Sequence, residues 1–324
     1  MILRGVNFGP VLDASGVRGF FGEGYWYHTL LTPFGLDFKG STFVAKTTTL
    51  EPRAGNMPLA PDGITPLEWK PRCIVVNFWD GSALNAVGLS GPGAKALFER
   101  KRWQRRKEPF MISFMSVALT AKERVRELAD FLELFDRHLR DFWAPVGLQL
   151  NYTCPNVTQE EISPEMHLRE INEGLDLSSG LRIPLIVKLN LLTPVPFARS
   201  VSEHRACDAL CVSNTIPWGA LPEKIFWAHM FGSHTSPLES LGGGGLSGWP
   251  LHTLVYRWVT DARSAGITKP INAGGGILSP DDVDDLASAG ASSVFLGSVA
   301  FLRGWRVRRI IARARECENA GRFS

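Results

Sequence analysis

The sequence predicts an α/β fold, a (β/α)8 TIM barrel with long excursions after its second and sixth strands, on three observations. Short β-branched or apolar runs alternate with longer amphipathic stretches, the pattern of a parallel sheet built from βα units. Eight such runs can be read, at 11–14, 42–47, 110–115, 147–152, 185–190, 209–214, 270–274 and 293–297. The chain has 324 residues, an ordinary length for one barrel. No repeat period or linker divides it, so residues 1–324 are expected to form a single domain.

Between the runs, the clearest helix is 121–143, with Val125, Leu128, Phe131, Leu132, Phe135 and Leu139 on one face. Ser279-Pro280-Asp281-Asp282 reads as a helix start, with Ser as cap, Pro in the first turn and acids at the positive dipole end. Gly290 closes that helix before the eighth run. Two stretches exceed a minimal βα unit. Residues 50–93 are rich in Pro and Gly and hold a strand-like piece at 73–77. Residues 215–249 hold Trp218, Phe226, Trp227, Phe231 and a glycine run at 242–245. Loops this long in a compact domain usually serve function. In a barrel the active site lies at the C-terminal ends of the strands, and the chemically interesting residues fall just after the predicted runs.

Composition excludes several classes. Hydrophobic residues make up 44% and charged residues 21%, as in a globular protein. The net charge of +3 is small, and the basic runs 102–107 and 303–315 read as solvated helix faces, so no nucleic-acid partner is expected. The mildly basic balance suits anionic small ligands. No apolar run has the length of a membrane span and no secretory signal is visible, so a cytoplasmic protein without a membrane partner is expected. The five cysteines form no CxxC pair, which points away from a disulfide framework and from a metal site. Cys207 and Cys211 read as small core hydrophobes, and His229 and His234 as solvated loop residues. No GxSxG, phosphate-loop or dinucleotide-binding motif stands in the required context.

The strongest local signal is Asn151-Tyr152-Thr153-Cys154-Pro155-Asn156, directly after a clean strand that Pro155 terminates. A cysteine held there between two amides can be a nucleophile, a base or a metal ligand, or a buried structural thiol beside turn-forming asparagines. Gly275, Gly276, Gly297 and Ser298 follow the last two strands, where a barrel cradles phosphate on bare backbone N–H groups; ordinary turn glycines are the alternative. Lys188 ends the apolar run Leu185-Ile186-Val187, where an unpaired charge is costly, so it requires an anionic ligand or a structural carboxylate. Lys46 ends the second strand and carries the same requirement.

The segment around Cys154 resembles the N-x-S-C-P-N motif of class 1 dihydroorotate dehydrogenases, with Thr153 in the Ser position. The resemblance continues in order along nearly the whole chain. Ala14-Ser15-Gly16 is similar to the family's first-strand A-S-G. The segment from Lys46 and Thr47 to Asn56 is similar to K-x-x-T-L-E-P-R-x-G-N. Asn85-Ala86-Val87-Gly88-Leu89 stands where the family has N-S-M-G-L. Val187-Lys188-Leu189, Ser213-Asn214-Thr215, Gly244-Gly245-Leu246-Ser247-Gly248, Gly275-Gly276-Ile277 and Gly297-Ser298 match the remaining blocks.

The resemblance implies bound FMN and oxidation of dihydroorotate to orotate. Cys154 would take the substrate's C5 proton while the C6 hydride passes to the flavin, with Lys46 and Lys188 stabilising charge on the reduced ring. Implied flavin contacts are Ala14, Ser15, Gly16, Lys46, Thr47, Asn151, Lys188, Gly244, Gly245, Gly275, Gly276, Gly297 and Ser298. Implied substrate contacts are Asn85, Gly88, Leu89, Asn151, Asn156, Asn214 and Thr215. The four asparagines suit a ring of alternating C=O and N–H groups. Cys at the base position, and a chain that begins close to the first strand, point away from the quinone-linked class 2. The stretch from Gly245 to Leu251 looks closer to class 2 and class 1B than to the fumarate-using class 1A, and Thr215 leans the same way; class 1B members pass electrons to NAD through an iron–sulfur subunit. A homodimer is the expected assembly, with such a subunit as a further partner. Val87 and Ser90-Gly91 depart from the family pattern in the substrate loop. They leave open a dihydropyrimidine-type flavin enzyme, and a flavin-free phosphate-binding barrel is the other alternative.

Overall fold

Seven of the eight expected runs form one curled parallel sheet in the computed structural model, which describes residues 1–153, 155, 156, 160 and 162–324. After a small N-terminal hairpin, β1 (Ile2–Leu3) and β2 (Val6–Asn7), the first run is β3 (Val11–Asp13). A short helix α1 (Trp26–Leu31) follows, then strands β4 (Ile74–Asn77) and β5 (Ser82–Asn85) and helix α2 (Ala94–Glu99). Regular βα alternation then begins: β6 (Phe110–Phe114), α3 (Ala121–Leu139), β7 (Val146–Asn151), α4 (Pro164–Ser179), β8 (Leu185–Asn190), α5 (Val195–Glu203) and β9 (Ala209–Asn214). A second interruption holds β10 (Ile216–Pro217), α6 (Trp227–Phe231) and β11 (Gly245–Gly248). The chain closes with α7 (His252–Ser264), β12 (Ile271–Ala273), α8 (Asp281–Ser288), β13 (Ser293–Leu296), α9 (Val299–Leu302) and α10 (Val307–Asn319).

The parallel order is β3-β13-β12-β9-β8-β7-β6. The run at 42–47 is not a regular strand, but its stretch of chain bridges both edges of that sheet. Thr42 pairs with Leu12 on one side, and Val44 and Thr48 pair with Met111 and Phe114 on the other, all parallel. The ladder toward β3 breaks because the Lys46 N–H turns away to the Gly19 carbonyl, 2.9 Å off. The result is a TIM-like curl. Leu12, Val44, Met111, Ile186, Ala209, Cys211 and Phe295 fill its interior, and Met1, Leu3 and Phe8 from the N-terminal hairpin pack into the same cluster. The strands are apolar on both faces because helices cover the outside.

Two helix boundaries differ from expectation. Helix α3 ends at Leu139 rather than at 143, where Arg140 caps it and Trp143 turns out to solvent. Its start is a capping box: Thr120 accepts from the Glu123 N–H while the Glu123 carboxylate accepts from Thr120. Its buried face carries Arg124, whose guanidinium meets Glu170 of α4 through two 2.7 Å bonds. In α8, Ser279 does not cap. The Asp282 carboxylate reaches back instead and accepts from the N–H groups of Leu278 and Ser279, both at 2.7 Å. Gly290 follows α8 at φ +98°, the left-handed conformation that stops a helix. Among the described residues no helix is long and apolar enough to cross a membrane.

The two interrupting stretches meet in an antiparallel sheet, β10-β11-β5-β4. Its register sets Gly245 opposite Asn85, so the 50–93 and 215–249 segments are joined at a residue expected to touch ligand.

Candidate active site

A cavity of about 1060 Å³ opens where the parallel strands end, at the upper end of the roughly 300–1,000 Å³ usual for ligand sites. Its floor and sides come from the ends of successive strands, because βα loops deliver side chains to that one rim. Asn151 ends β7, Lys188 lies near the end of β8 in register with Asn151, and Asn214 ends β9. Ala14, Ser15 and Gly16 follow β3; Gly275 and Gly276 follow β12; Gly297 and Ser298 follow β13.

The glycine turns are bare for a steric reason. Gly276 has φ +88°, and a Cβ there would stand 2.8 Å from the Gly248 carbonyl oxygen and 2.9 Å from both N and Cβ of His252. A Cβ on Gly297 would stand 2.8 Å from that of Ala14. His252 starts α7 and its Nε2 lies 3.1 Å from Asp285, which ties the turn at Gly276 to α8.

The amides form two connected pairs. Asn214 Nδ2 donates to Asn151 Oδ1 at 3.0 Å, and the Thr215 N–H donates to Asn214 Oδ1 at 3.0 Å. Asn156 Nδ2 donates to Asn85 Oδ1 at 3.1 Å, and Asn85 Nδ2 donates to the Gly245 carbonyl at 3.2 Å. Asn156 Oδ1 is buried with no partner among the described residues, an acceptor that a ligand N–H would satisfy. Ser15, Thr47 and Ser113 form a hydroxyl chain with spacings of 2.7 and 2.9 Å.

The two lysines differ. The Lys46 ammonium donates to the Ser90 carbonyl and lies 4.7 Å from the centre of the Phe20 ring. Lys188 is 7% exposed, and no carboxylate or hydrogen-bond acceptor meets its ammonium among the described residues. Beneath it, β9 places Cys211 in register. Burial pushes that thiol up to about 11, with the Lys188 charge opposing, so it is a neutral core side chain. Cys207 behaves alike, pushed up to about 12 mainly by burial.

The structure thus brings together Ala14, Ser15, Gly16, Lys46, Thr47, Asn85, Gly88, Leu89, Asn151, Asn156, Lys188, Asn214, Thr215, Gly275, Gly276, Gly297 and Ser298 around one cavity. Gly244 and Gly245 stand behind its wall. A Cβ on Gly245 would meet Thr215 and Pro155, and Ser247 of the same strand lines the cavity instead. Cys154 lies outside the described residues. His229 and His234 are exposed and do not line the cavity. The sequence reading missed an aromatic wall of Tyr25, Trp26, Tyr27, Trp69 and Phe78. Its only signal was the density of aromatic residues within 25–34 and 64–80. The Tyr25 hydroxyl donates to the Gly16 carbonyl at 2.8 Å, and burial raises its pKa.

Comparison with known proteins accords with this arrangement. The family model for dihydroorotate dehydrogenase matches residues 3–316. The catalytic subunit of dihydroorotate dehydrogenase B (NAD(+)) from Geobacillus kaustophilus is 30% identical over 312 residues, covering 94% of this chain and 85% of that protein. The same subunit from Endomicrobium trichonymphae is 29% identical over 293 residues, covering 89% and 81%. Dihydroorotate dehydrogenase A (fumarate) from Limosilactobacillus reuteri is 28% identical over 301 residues, covering 90% and 83%. A crystal structure of the Eimeria tenella dihydroorotate dehydrogenase in complex with ferulenol shares the fold, with a TM-score of 0.67 at 19% identity, over 98% of this chain and 84% of that one. With the match running almost end to end over the residues that build the cavity, the chain belongs to the dihydroorotate dehydrogenase family.

Proposed function

We propose that this protein oxidises dihydroorotate to orotate with bound FMN, in a closed eight-stranded barrel whose two excursions roof the site. The observation that carries the reading is the joint placement of bare glycine turns, a buried lysine with no partner among the described residues and two amide pairs around one cavity. The donor set fits FMN. Gly275, Gly276, Gly297 and Ser298 would hold the phosphate on backbone N–H groups. Lys188 would face the electron-rich edge of the ring, which answers the need of a buried ammonium for an acceptor. Ala14, Ser15, Gly16, Lys46, Thr47 and Asn151 would hold the rest, with Gly244 and Gly245 supporting the wall. When bound, the flavin supplies the two-electron acceptor that no side chain offers.

The chain's own residues do the remaining work. Asn85, Asn151, Asn156 and Asn214 hold the pyrimidine ring through donors and acceptors fixed by their mutual bonds, with Gly88, Leu89 and Thr215 bounding it. Cys154, as thiolate, removes the proton from C5. Its neighbours are tied down: the Thr153 N–H donates to Asn151 Oδ1 at 3.3 Å, and Pro155 abuts Gly245. Lys46 and Lys188 would stabilise the negative charge carried by a reduced flavin ring. Relatives named as catalytic subunits of an NAD(+)-linked enzyme support a separate electron-transfer subunit as partner, and a homodimer is the assembly we expect.

Replacing Cys154 by Ser tests the base. Flavin bleaching by dihydroorotate in anaerobic stopped flow is expected to slow by about 10²-fold or more near neutral pH, the usual worth of a general base, with FMN still bound. An unchanged rate rules out the assignment.

A further inference from the structure

The loop that follows β5 meets the cavity in a backbone form that needs support. Gly88 has φ +69° and Leu89 φ +60°, and a non-glycine residue keeps the left-handed conformation only where its surroundings hold it. Here the loop is held by its carbonyls. Those of Ala86 and Val87 accept from the Asn56 side chain and N–H at 2.7 and 2.9 Å, and that of Gly88 accepts from Arg53 Nε at 2.8 Å.

Ser90 closes the loop. It is fully buried, and its hydroxyl donates to the Val87 carbonyl at 3.1 Å while accepting from the Met57 N–H at 3.1 Å. The hydroxyl fits because residue 55 is glycine: a Cβ there would stand 2.6 Å from the Val87 oxygen and closer still to Ser90 Oγ. The backbone of Ser90 serves a second group, since the Lys46 ammonium donates to its carbonyl. Gly91 completes that seat. A Cβ on it would stand 2.7 Å from Cζ of Phe20, so the bare glycine lets the Phe20 ring come within 4.7 Å of the ammonium, where an aromatic face attracts a cation.

We propose that Ser90 is a positioning residue for the reaction. Its side chain fixes the left-handed turn at Gly88 and Leu89 while its main chain aims the Lys46 charge, so one residue sets the spacing between the two. In the functional reading above, on which this rests, Gly88 and Leu89 bound the substrate and Lys46 serves the flavin. The partners favour positioning over plain packing. Lys46, Met57 and Val87 all line the cavity, whereas Ser90 stands behind them and acts only through them. Ser90 and Gly91 are also the pair that departs from the family pattern in this loop, and together they supply the clasp and the seat.

The dihydroorotate dependence of flavin bleaching, followed by anaerobic stopped flow on the FMN-loaded protein, tests this. In Ser90→Ala the Met57 N–H loses its acceptor and the Val87 carbonyl keeps only Asn56. The half-saturating dihydroorotate concentration is expected to rise about tenfold, the worth of one hydrogen bond. The limiting bleaching rate is expected to fall at least about tenfold as the lysine shifts, while FMN binds as tightly as in the parent. Ser178→Ala is the control: it removes an equally buried hydroxyl, bonded to the Gly174 carbonyl within α4, and should move neither constant. Should Ser90→Ala fold poorly, Gly91→Ala drives a Cβ into Phe20 and is expected to slow the limiting rate at least about tenfold. Folded, FMN-loaded variants with the parent's constants overturn the proposal, as does a Ser178→Ala protein impaired to the same degree. A parent that dihydroorotate does not bleach at all fails the functional reading itself, whereas a parent that bleaches beside an unchanged Ser90→Ala overturns this assignment alone.

Discussion

Replacing Gly276 by Ala strikes the proposed phosphate cradle at a point where the geometry leaves no room. At φ +88° an Ala costs about 1–2 kcal/mol in backbone strain alone. The new Cβ would also stand 2.8–2.9 Å from three atoms that cannot yield. One is the Gly248 carbonyl oxygen, in a strand paired with Ser82, and the others belong to His252 at the start of α7. The turn itself must therefore move, and at least one N–H loses its aim at the phosphate. A hydrogen bond to a charged group is worth about 1.5–3 kcal/mol, so FMN should bind roughly 10- to 100-fold more weakly. Titrating flavin-stripped protein with FMN and following the quenching of flavin fluorescence reads this directly. Gly219→Ala is the control: φ is +81°, but nothing lies within 4 Å of its Cβ, so it carries the same strain without the clash and should bind FMN normally. A Gly276→Ala protein that binds FMN as the parent does would refute the cradle.

Further predictions follow from the charges. Lys188→Met removes a cation that, at contact distance and an effective dielectric near 20, is worth about 2–4 kcal/mol to a reduced, anionic ring. The midpoint potential of bound FMN should fall by roughly 45–90 mV, and dye-equilibrated reduction showing no change would remove Lys188 from the flavin site. His28 is held down at about 4, first by burial and then by Arg18. The folded state keeps it neutral while the unfolded chain protonates below about 6.5, so its contribution is complete above that pH and is lost as pH falls toward 4. Urea midpoints should drop over that window by an amount worth up to about 2–3 kcal/mol, and His28→Phe, stacked on Phe38, should flatten the drop; equal slopes would contradict it. Glu170→Gln strands the buried Arg124 charge and should cost about 3–5 kcal/mol of stability, whereas Arg124→Met with Glu170→Met should cost much less. Denaturant titration of both variants checks the difference.

The periodicity of the sequence carried most of the fold, because a strand buried on both faces must be apolar throughout and 185–190 or 209–214 admits little else. The run at 42–47 has the same composition but diverts the Lys46 N–H to Gly19, a tertiary choice that composition does not encode. The end of α3 was overestimated because Phe142 continues the apolar rhythm past the last helical bond. The amide pairs were legible as residues but not as pairs: Asn85 and Asn156 stand 71 residues apart and meet because β5 lines the same cavity as the ends of the parallel strands. Trp26 and Trp69 are likewise 43 apart, and a wall built from two irregular segments has no period to betray it.

The central claim is that this cavity oxidises dihydroorotate at a flavin. An anaerobic titration of the yellow, FMN-loaded protein with dihydroorotate measures it most directly. One equivalent per flavin should bleach the absorbance fully and yield one equivalent of orotate. A flavin that stays oxidised under excess dihydroorotate, yet bleaches with another dihydropyrimidine, would contradict the claim.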